Sequence, residues 1–149
     1  MGIDRKGYSL LETLLVFALL GGVLALTFPV ALTAYRRTEL WETRDLAVQA
    51  VRRAQALALG AVGDEPWGVK FVPGEVIVFK GAGFDGRDPD ADEHFPVPAS
   101  VVWSGTSEVI FAQVTGAASS PGPFETTITL GEAGTVTVRV NEQGLPSYE

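Results

Sequence analysis

Carboxylates are the residues of this 149-residue chain whose type and spacing most suggest chemistry. Asp85, Asp88, Asp90 and Asp92 fall within a stretch, residues 81–98, that has the composition of a loop. Closely spaced oxygen ligands are what Ca²⁺ prefers, although this spacing is not that of an EF-hand. A weak calcium site and an ordinary solvated acidic loop are the two interpretations, and the second is the simpler one.

Other reactive groups are sparse. The chain has no cysteine, which excludes a disulfide framework, a thiolate metal site and a cysteine nucleophile. Its single histidine, His94, cannot form a histidine-rich metal site. No glycine-rich phosphate loop, nucleophile elbow or HExxH motif is present in the sequence. We therefore expect a protein that is not an enzyme and that needs no cofactor.

Glu12 is a carboxylate of a different kind, because an uncharged and mostly apolar run, residues 13–35, follows it directly. As a helix this run is about 35 Å long, enough to cross the roughly 30 Å core of a bilayer. Arg5 and Lys6 precede it, which favours a cytoplasmic N-terminus. A carboxylate at the start of such a span is unfavourable unless it reaches the headgroups or meets a cation. Both interpretations of Glu12 stay open on these grounds.

The position of the nearest small residue argues against a conventional secretory signal. Such a signal has its cleavage site after the apolar stretch, so that the stretch is discarded. Here Gly7 stands before the run. Cleavage at Gly7 would remove only the charged leader and keep the helix.

Residues 6–12 have the sequence KGYSLLE and precede the apolar helix. Together they resemble the class III signal of type IV pilins and type II secretion pseudopilins. In that family prepilin peptidase cuts after the glycine, and the new N-terminal residue is methylated. The resemblance implies cleavage between Gly7 and Tyr8, N-methylation of Tyr8 and an assembly role for Glu12. The family usually has phenylalanine where this chain has Tyr8.

Cleavage would create an α-amino cation at Tyr8, and Glu12 of a staggered neighbouring subunit could pair with it. Two charges paired in an apolar layer fix axial register, because removing one leaves the other unpaired. Gly21 and Pro29 stand where pilins often carry a helix-weakening glycine and proline, and Gly22 is a further candidate for a helix break. Since proline removes a backbone hydrogen bond, we expect a helix break there in the assembled filament. Close helix packing by small residues is the plainer alternative.

The pattern after the apolar run predicts that the same helix continues and ends near Gly60 or Gly63, since no turn signal intervenes. An apolar stripe at helical spacing indicates a face packed on a sheet, and the small size of its members indicates close packing. The stripe consists of Leu40, Ala47, Val51, Ala54 and Ala58.

The rest of the chain has the pattern of β-strands. Pro73-Gly74 lies between two short apolar runs and predicts a hairpin. Val136, Val138 and Val140 alternate with polar residues, as a half-buried strand requires. Six runs are expected to be strands: residues 67–72, 75–80, 99–104, 108–114, 126–130 and 135–141. Five aromatic residues are expected in the core: Trp67, Phe71, Phe79, Trp103 and Phe111.

Charge is distributed unevenly along the chain. Residues 35–60 carry five basic and three acidic side chains, whereas residues 61–149 carry four basic and thirteen acidic ones. An acidic surface is poorly suited to neutralising phosphates, so no nucleic-acid partner is expected.

These patterns predict an α+β fold, with one long N-terminal helix packed on an antiparallel β-sheet head of about six strands, and the resemblance implies that this fold is pilin-like. We expect a cleaved leader (1–7), an apolar transmembrane and assembly helix (8–34), an amphipathic helix (35–63) and a β-rich head (64–149). This order of elements, a helix followed by strands, resembles that of the GspH/FimT group of minor pilins and pseudopilins. The sequence at residues 140–144 also resembles the ending of that group.

The resemblance implies a structural subunit of a type IV pilus-like or type II secretion filament. Its implied partners are prepilin peptidase, other pilin or pseudopilin subunits and, before assembly, the lipid of the bacterial inner membrane. The N-terminus would be cytoplasmic and the head periplasmic or extracytoplasmic. The alternative is a signal-anchored periplasmic binding module that does not polymerise. The two hypotheses differ in whether Met1 remains on the mature chain.

Overall fold

One long helix, α1 (Leu10–Leu59), begins the part of the chain that the computed structural model describes, residues 9–119 and 124–149. The chain divides into two units, one ending at Tyr35 and the other spanning Arg36–Glu149. Residues of α1 belong to both. The helix is long and apolar enough to cross a membrane. We call Arg36–Glu149 the head and treat the two units separately below.

Within the head, the face of α1 predicted to be apolar is buried. The buried stripe is wider than expected, because Thr43, Val48, Ala50 and Leu57 join it. The hydroxyl of Thr43 donates a hydrogen bond to the carbonyl of Glu39 (2.8 Å), so its burial leaves no unpaired group. Every residue of the predicted stripe is confirmed as buried: Leu40, Ala47, Val51, Ala54 and Ala58.

Across residues 60–119 and 124–149, eight strands follow the helix and form two four-stranded antiparallel sheets. The first sheet has the order β3-β2-β1-β5 and the second the order β4-β6-β7-β8. The strands are β1 (Trp67–Val72), β2 (Glu75–Lys80), β3 (Asp88–Pro96), β4 (Val102–Gly105), β5 (Glu108–Phe111), β6 (Phe124–Thr129), β7 (Thr135–Val140) and β8 (Pro146–Tyr148).

The predicted hairpin around Pro73-Gly74 is confirmed. Strands β1 and β2 pair with Val72 opposite Glu75, which leaves two residues in the turn. Gly74 has a φ of +87°, a conformation that glycine adopts without the steric penalty of a side chain. The expected alternation of β7 is confirmed as well, with Val136, Val138 and Val140 buried.

The expectation of about six strands in one sheet is wrong, and β3 accounts for much of the difference. Residues 81–98 were expected to form a loop, but Asp88–Pro96 pairs with β2, with Phe95 opposite Val76. This strand lies at the edge of its sheet and carries charges and prolines, which discourage pairing with other chains. An edge strand with a largely exposed surface needs no apolar alternation. The other unexpected strand, β8, has only three residues and begins with Pro146.

Phe71 links the two sheets in the core. Its ring centroid lies 4.9 Å from that of Trp103 on β4 and 5.7 Å from that of Phe124 on β6. The expected core positions are confirmed for Trp67, Phe71, Phe79 and Phe111, whereas Trp103 is only partly buried.

Candidate assembly and membrane-contact site

Ser9 caps the N-terminal end of α1. Its carbonyl oxygen accepts a hydrogen bond from the backbone N–H of Glu12 (2.9 Å), and its hydroxyl oxygen accepts one from the N–H of Leu11 (3.4 Å). Serine is a preferred N-cap because the first N–H groups of a helix have no partner within it. The expected cleavage and methylation positions, Gly7 and Tyr8, lie outside the described residues.

Glu12 lies in the first turn of α1 with its side chain exposed. Over residues 9–119 and 124–149, no basic side chain forms an ion pair with it. The cationic partner proposed for this carboxylate must therefore come from residues before Ser9 or from another molecule.

The sequence around Glu12 also predicts a local role for this residue, which the apolar run and the family resemblance do not indicate. Ser9 and Glu12 have the S-x-x-E spacing of a capping box, in which the acidic side chain reaches back towards the N-cap. A carboxylate in the first turn also interacts favourably with the positive end of the helix dipole. Either effect would favour glutamate at this position even in a chain that never assembles into a filament.

The surface of α1 from Leu10 to Tyr35 is apolar and open. Every side chain described in this stretch is exposed. A helix that is hydrophobic on all sides requires lipid or other helices around it. The large exposed side chains are Leu10, Leu11, Leu14, Leu15, Val16, Phe17, Leu19, Leu20, Val23, Leu24, Leu26, Phe28, Val30, Leu32 and Tyr35.

Two threonines of this stretch satisfy their hydroxyl groups within the helix. Thr13 donates to the carbonyl of Leu10 (2.8 Å), and Thr27 donates to the carbonyl of Val23 (3.0 Å). An unpaired hydroxyl is unfavourable in hydrocarbon, where no water can bond to it. These bonds make the two polar positions compatible with an apolar environment.

In the single chain, α1 is assigned as helix throughout Gly21, Gly22 and Pro29. A Cβ atom placed on either glycine would meet nothing within 4 Å. The isolated subunit therefore has no packing need for glycine at these positions, although glycine lowers helix propensity. The expected helix break concerns the assembled filament, so it stays a prediction.

The four candidate calcium ligands do not gather around one point. Asp88 on β3 lies 3.0 Å from the ammonium of Lys80, and Asp92 lies 2.8 Å from the guanidinium of Arg87. Asp85 and Asp90 are exposed. Among the described residues, no three histidine or carboxylate side chains are placed to share a metal ion. Two of the four candidates have basic partners instead.

Ion pairs at the surface of the head shift the pKa values of their members, and Lys80–Asp88 and Arg53–Glu93 are two examples. The hydrogen bond from Lys80 lowers the pKa of the Asp88 carboxyl and raises the pKa of Lys80 itself. The hydrogen bond from Arg53 on α1 to Glu93 on β3 (2.8 Å) raises the pKa of Arg53. Exposed pairs of this kind contribute little to stability because water screens them.

His94 forms an exposed cross-strand pair. Its Nδ1 lies 2.9 Å from Oε2 of Glu75 on β2, and both side chains are at the surface. A charged His94 would be attracted to this carboxylate, as opposite charges across a strand pair are. The contact is of a kind that commonly stabilises sheets.

Comparisons of the chain with protein-family models, curated proteins and solved structures find no match. A functional assignment therefore has to be argued from residues 6–12 and from the exposed surface of α1.

Proposed function

We propose that the chain is a structural subunit, a minor pilin or pseudopilin, of a type IV pilus-like or type II secretion filament. In this proposal prepilin peptidase cuts after Gly7, and the new N-terminal residue, Tyr8, is methylated. The apolar part of α1 then moves from the inner membrane into the interior of the filament. The head remains outside and has a GspH/FimT-like role in surface or tip contacts.

The observation that carries the proposal is the complete exposure of the apolar stretch from Leu10 to Tyr35. Exposed apolar surface is unfavourable in water by about 25 cal/mol per Å². Lipid removes that penalty before assembly, and the helices of neighbouring subunits remove it afterwards. A filament with helices packed at its centre supplies this second environment.

Glu12 supports the same proposal. It lies in the first turn of α1 and, in the sequence, four residues after the new N-terminus that cleavage would create at Tyr8. Since the chain as described offers Glu12 no basic partner, an amine from a neighbouring subunit would satisfy it. An ion pair of this kind is sensitive to geometry, because a displaced subunit leaves both charges unpaired in an apolar layer.

Prepilin peptidase acts on residues 6–12, lipid surrounds α1 before assembly, and other pilin or pseudopilin subunits surround it afterwards. The N-terminus is cytoplasmic and the head extracytoplasmic until the subunit enters the filament. Neither nucleic acid nor Ca²⁺ has a part in the proposed function.

The capping-box spacing of Ser9 and Glu12 favours one alternative. A signal-anchored periplasmic binding module would use Glu12 only to start its membrane helix. In that case the helix is a tether, Met1 remains in place and the head does not polymerise.

Intact-mass analysis of the full chain separates these functions. The chain is purified from cells with active prepilin peptidase and, as a control, from cells that lack the enzyme. We expect the loss of residues 1–7 and the gain of one methyl group only where the peptidase is present. Peptide fragmentation would place that methyl group on Tyr8.

A Gly7→Ala variant is the matched control, because it changes the cleavage position and leaves α1 unchanged. We expect it to keep its leader in both kinds of cell. A wild-type chain that retains residues 1–7 in the presence of the peptidase would contradict the proposed function and favour the tethered module.

A further inference from the structure

A groove in the head lies where the head's part of α1 begins. Arg36 and Glu39 contribute one side of it from α1, because side chains three residues apart lie on the same side of a helix. Gly131 leaves space in the groove, since a Cβ placed on it would meet nothing within 4 Å. The groove has a volume of about 220 Å³ and is lined by Arg36, Glu39, Ser100, Leu130 and Gly131. We call it the proximal groove.

The proximal groove presents one charge of each sign. Over residues 9–119 and 124–149, neither Arg36 nor Glu39 takes part in an ion pair, although their spacing on the helix suits one. Thr43 bonds only to the backbone carbonyl of Glu39, which leaves the carboxylate available. Ser100 is exposed and adds a hydroxyl that can donate or accept a hydrogen bond. A ligand for this groove should therefore carry a negative and a positive charge close together.

The proximal groove also lies at the depth of a lipid headgroup when the apolar stretch spans a bilayer. Arg36 is the first residue after that stretch, and Glu39 lies about 4.5 Å further along the axis of α1. The polar layer on each side of a bilayer is about 5–8 Å thick, which is half the difference between the whole bilayer and its hydrocarbon core. Both charged residues therefore fall within this layer.

A phospholipid headgroup with a primary ammonium, as in phosphatidylethanolamine, carries the two charges that complement this groove. Its phosphate accepts hydrogen bonds from a guanidinium or a hydroxyl, and its ammonium donates to a carboxylate. The quaternary ammonium of phosphatidylcholine has no N–H group to donate to Glu39. Phosphatidylglycerol has no cationic group at all. Glu39 thus favours the first of these three headgroups.

A larger groove further along α1 differs in both charge and position. Its volume is about 470 Å³, and its lining includes Gln49, Arg53 and Glu93. Arg53 and Glu93 already bind each other (2.8 Å). Gln49 lies about 20 Å beyond Arg36 along the helix, so this groove is outside the polar layer of a bilayer that α1 crosses along the normal. The proximal groove alone of these two combines unpaired charges of both signs with the depth of a headgroup.

We propose that the proximal groove binds the headgroup of a phospholipid with a primary ammonium, such as phosphatidylethanolamine. Arg36 and Ser100 hold the phosphate, and Glu39 holds the ammonium. The inference rests on the membrane-inserted stage of the proposed function. It holds this end of the head at the membrane surface before assembly, and the lipid is released when α1 leaves the bilayer.

Native mass spectrometry of the full chain, released from a non-ionic detergent, tests this lipid site. The chain is mixed with equal amounts of phosphatidylethanolamine, phosphatidylcholine and phosphatidylglycerol that have the same acyl chains. Because the exposed apolar stretch binds acyl chains whatever the headgroup, the readout is the ratio of the retained lipids. We expect phosphatidylethanolamine to be retained about three- to tenfold more than phosphatidylcholine, the effect of one charge-assisted hydrogen bond in a partly exposed site.

Substitutions assign this preference to the two charged residues. Glu39→Gln should abolish it and should increase the retention of phosphatidylglycerol, because the carboxylate no longer repels the phosphate. Arg36→Gln should also reduce the preference, since the phosphate is no longer held beside Glu39. Arg37→Gln is the matched control, because it removes the same charge one residue away, outside the groove lining. It should leave the ratio of phosphatidylethanolamine to phosphatidylcholine unchanged. Tryptophan fluorescence during thermal unfolding shows whether each variant is folded.

Three results would overturn the lipid site. They are equal retention of phosphatidylethanolamine and phosphatidylcholine by the wild type, a wild-type preference for phosphatidylglycerol, and a loss of preference in Arg37→Gln as large as that in Arg36→Gln. Soluble phosphoethanolamine tests for a free ligand of the same chemistry. We expect it to displace little of the lipid at equal concentration, and complete displacement would show that the lipid is not the occupant.

These measurements require neither prepilin peptidase nor a filament, so they separate the lipid site from the proposed function. If the wild type shows no headgroup preference but is cleaved and enters filaments, the lipid site is overturned and the filament function stands. If the chain keeps residues 1–7 in the presence of the peptidase but prefers phosphatidylethanolamine through Arg36 and Glu39, the filament function fails and the lipid site stands.

Discussion

The two units of this chain differ in how far they bury a phenylalanine side chain, as Phe28 and Phe79 show. Phe79 on β2 is fully buried in the head, whereas Phe28 on α1 is 72% exposed. The difference extends to the neighbouring residues, because the head has its own core, whereas every side chain that the structure describes in residues 10–35 is exposed. The head contains the contacts that stabilise it, while the N-terminal unit depends on contacts from outside the chain.

The largest expected difference is between two variants that each lack one of these rings. Phe79→Ala should lower the free energy of unfolding of the head by about 3–5 kcal/mol, since it leaves a cavity in the core. Phe28→Ala should leave it unchanged. Tryptophan fluorescence during thermal unfolding of the full chain in detergent measures this, because Trp41, Trp67 and Trp103 all belong to the head. Equal losses from the two substitutions would contradict the comparison.

Substitution of one glycine in each unit allows the same comparison between the two units, with a smaller expected effect on stability. A Cβ on Gly68 would lie 2.8 Å from the carbonyl oxygen of Val109 and would clash with the ring of Phe79. Gly68→Ala should therefore destabilise the head by about 1–3 kcal/mol through overpacking. Gly21→Ala is the matched control, because its Cβ would meet nothing within 4 Å. The same fluorescence assay should detect a lower Tm for the first variant only.

Val114, whose φ of +69° lies in the left-handed region, should behave in the opposite way to other exposed valines of the head. Val114→Gly relieves a strain of about 1–3 kcal/mol and loses about 0.5–1 kcal/mol through added freedom of the unfolded chain, so the head should become modestly more stable. Val102 on β4 is similarly exposed (59%) but lies in a regular strand. Val102→Gly should lower stability by about 0.5–1 kcal/mol. If the two variants shift the midpoint of urea unfolding in the same direction, the strain at Val114 has no energetic consequence.

The smallest expected effect concerns pH. Because Lys80 lowers the pKa of Asp88 below 3.8, the pair stabilises the head above that pH and stops doing so in stronger acid. The pKa of Lys80 is raised above 10.5, so the contribution persists up to that pH and is lost above it. Asp88→Asn should make the head slightly less stable near neutral pH and no less stable in strong acid. Equal Tm differences at both pH values would show that the ion pair is not responsible.

Sequence periodicity correctly predicted those elements in which apolar residues at a regular spacing are buried in the core. The stripe on α1, the hairpin at Pro73-Gly74 and the alternation of β7 each follow from apolar residues at a regular spacing. Such a pattern can be read because the hydrophobic core selects it.

The same reasoning failed where pairing, and not burial, decides the structure. Strand β3 is acidic and lies at the edge of its sheet, so its partner β2 determines its conformation and its own sequence resembles a loop. The positive φ of Val114 could not be predicted, because valine is among the residues least suited to it. The capping-box spacing of Ser9 and Glu12, in contrast, can be recognised from the sequence alone, because it depends only on two residue types three positions apart.

The two roles of Glu12 are separable by substitution. Glutamine can replace glutamate in a capping box but carries no charge. Glu12→Gln therefore keeps the capping-box contact, loses the smaller interaction of the charge with the helix dipole, and removes the partner for the amine of a neighbouring subunit. Ser9→Ala does the reverse, because it removes the N-cap and keeps the carboxylate.

The most direct test of the filament function is the amount of each mature variant in sheared, sedimented filaments, relative to the amount of processed chain in the membrane. We predict that Glu12→Gln is cleaved normally but largely lost from filaments, whereas Ser9→Ala enters them almost as well as the wild type. Normal incorporation of Glu12→Gln would contradict the account, and so would an equal loss of both variants.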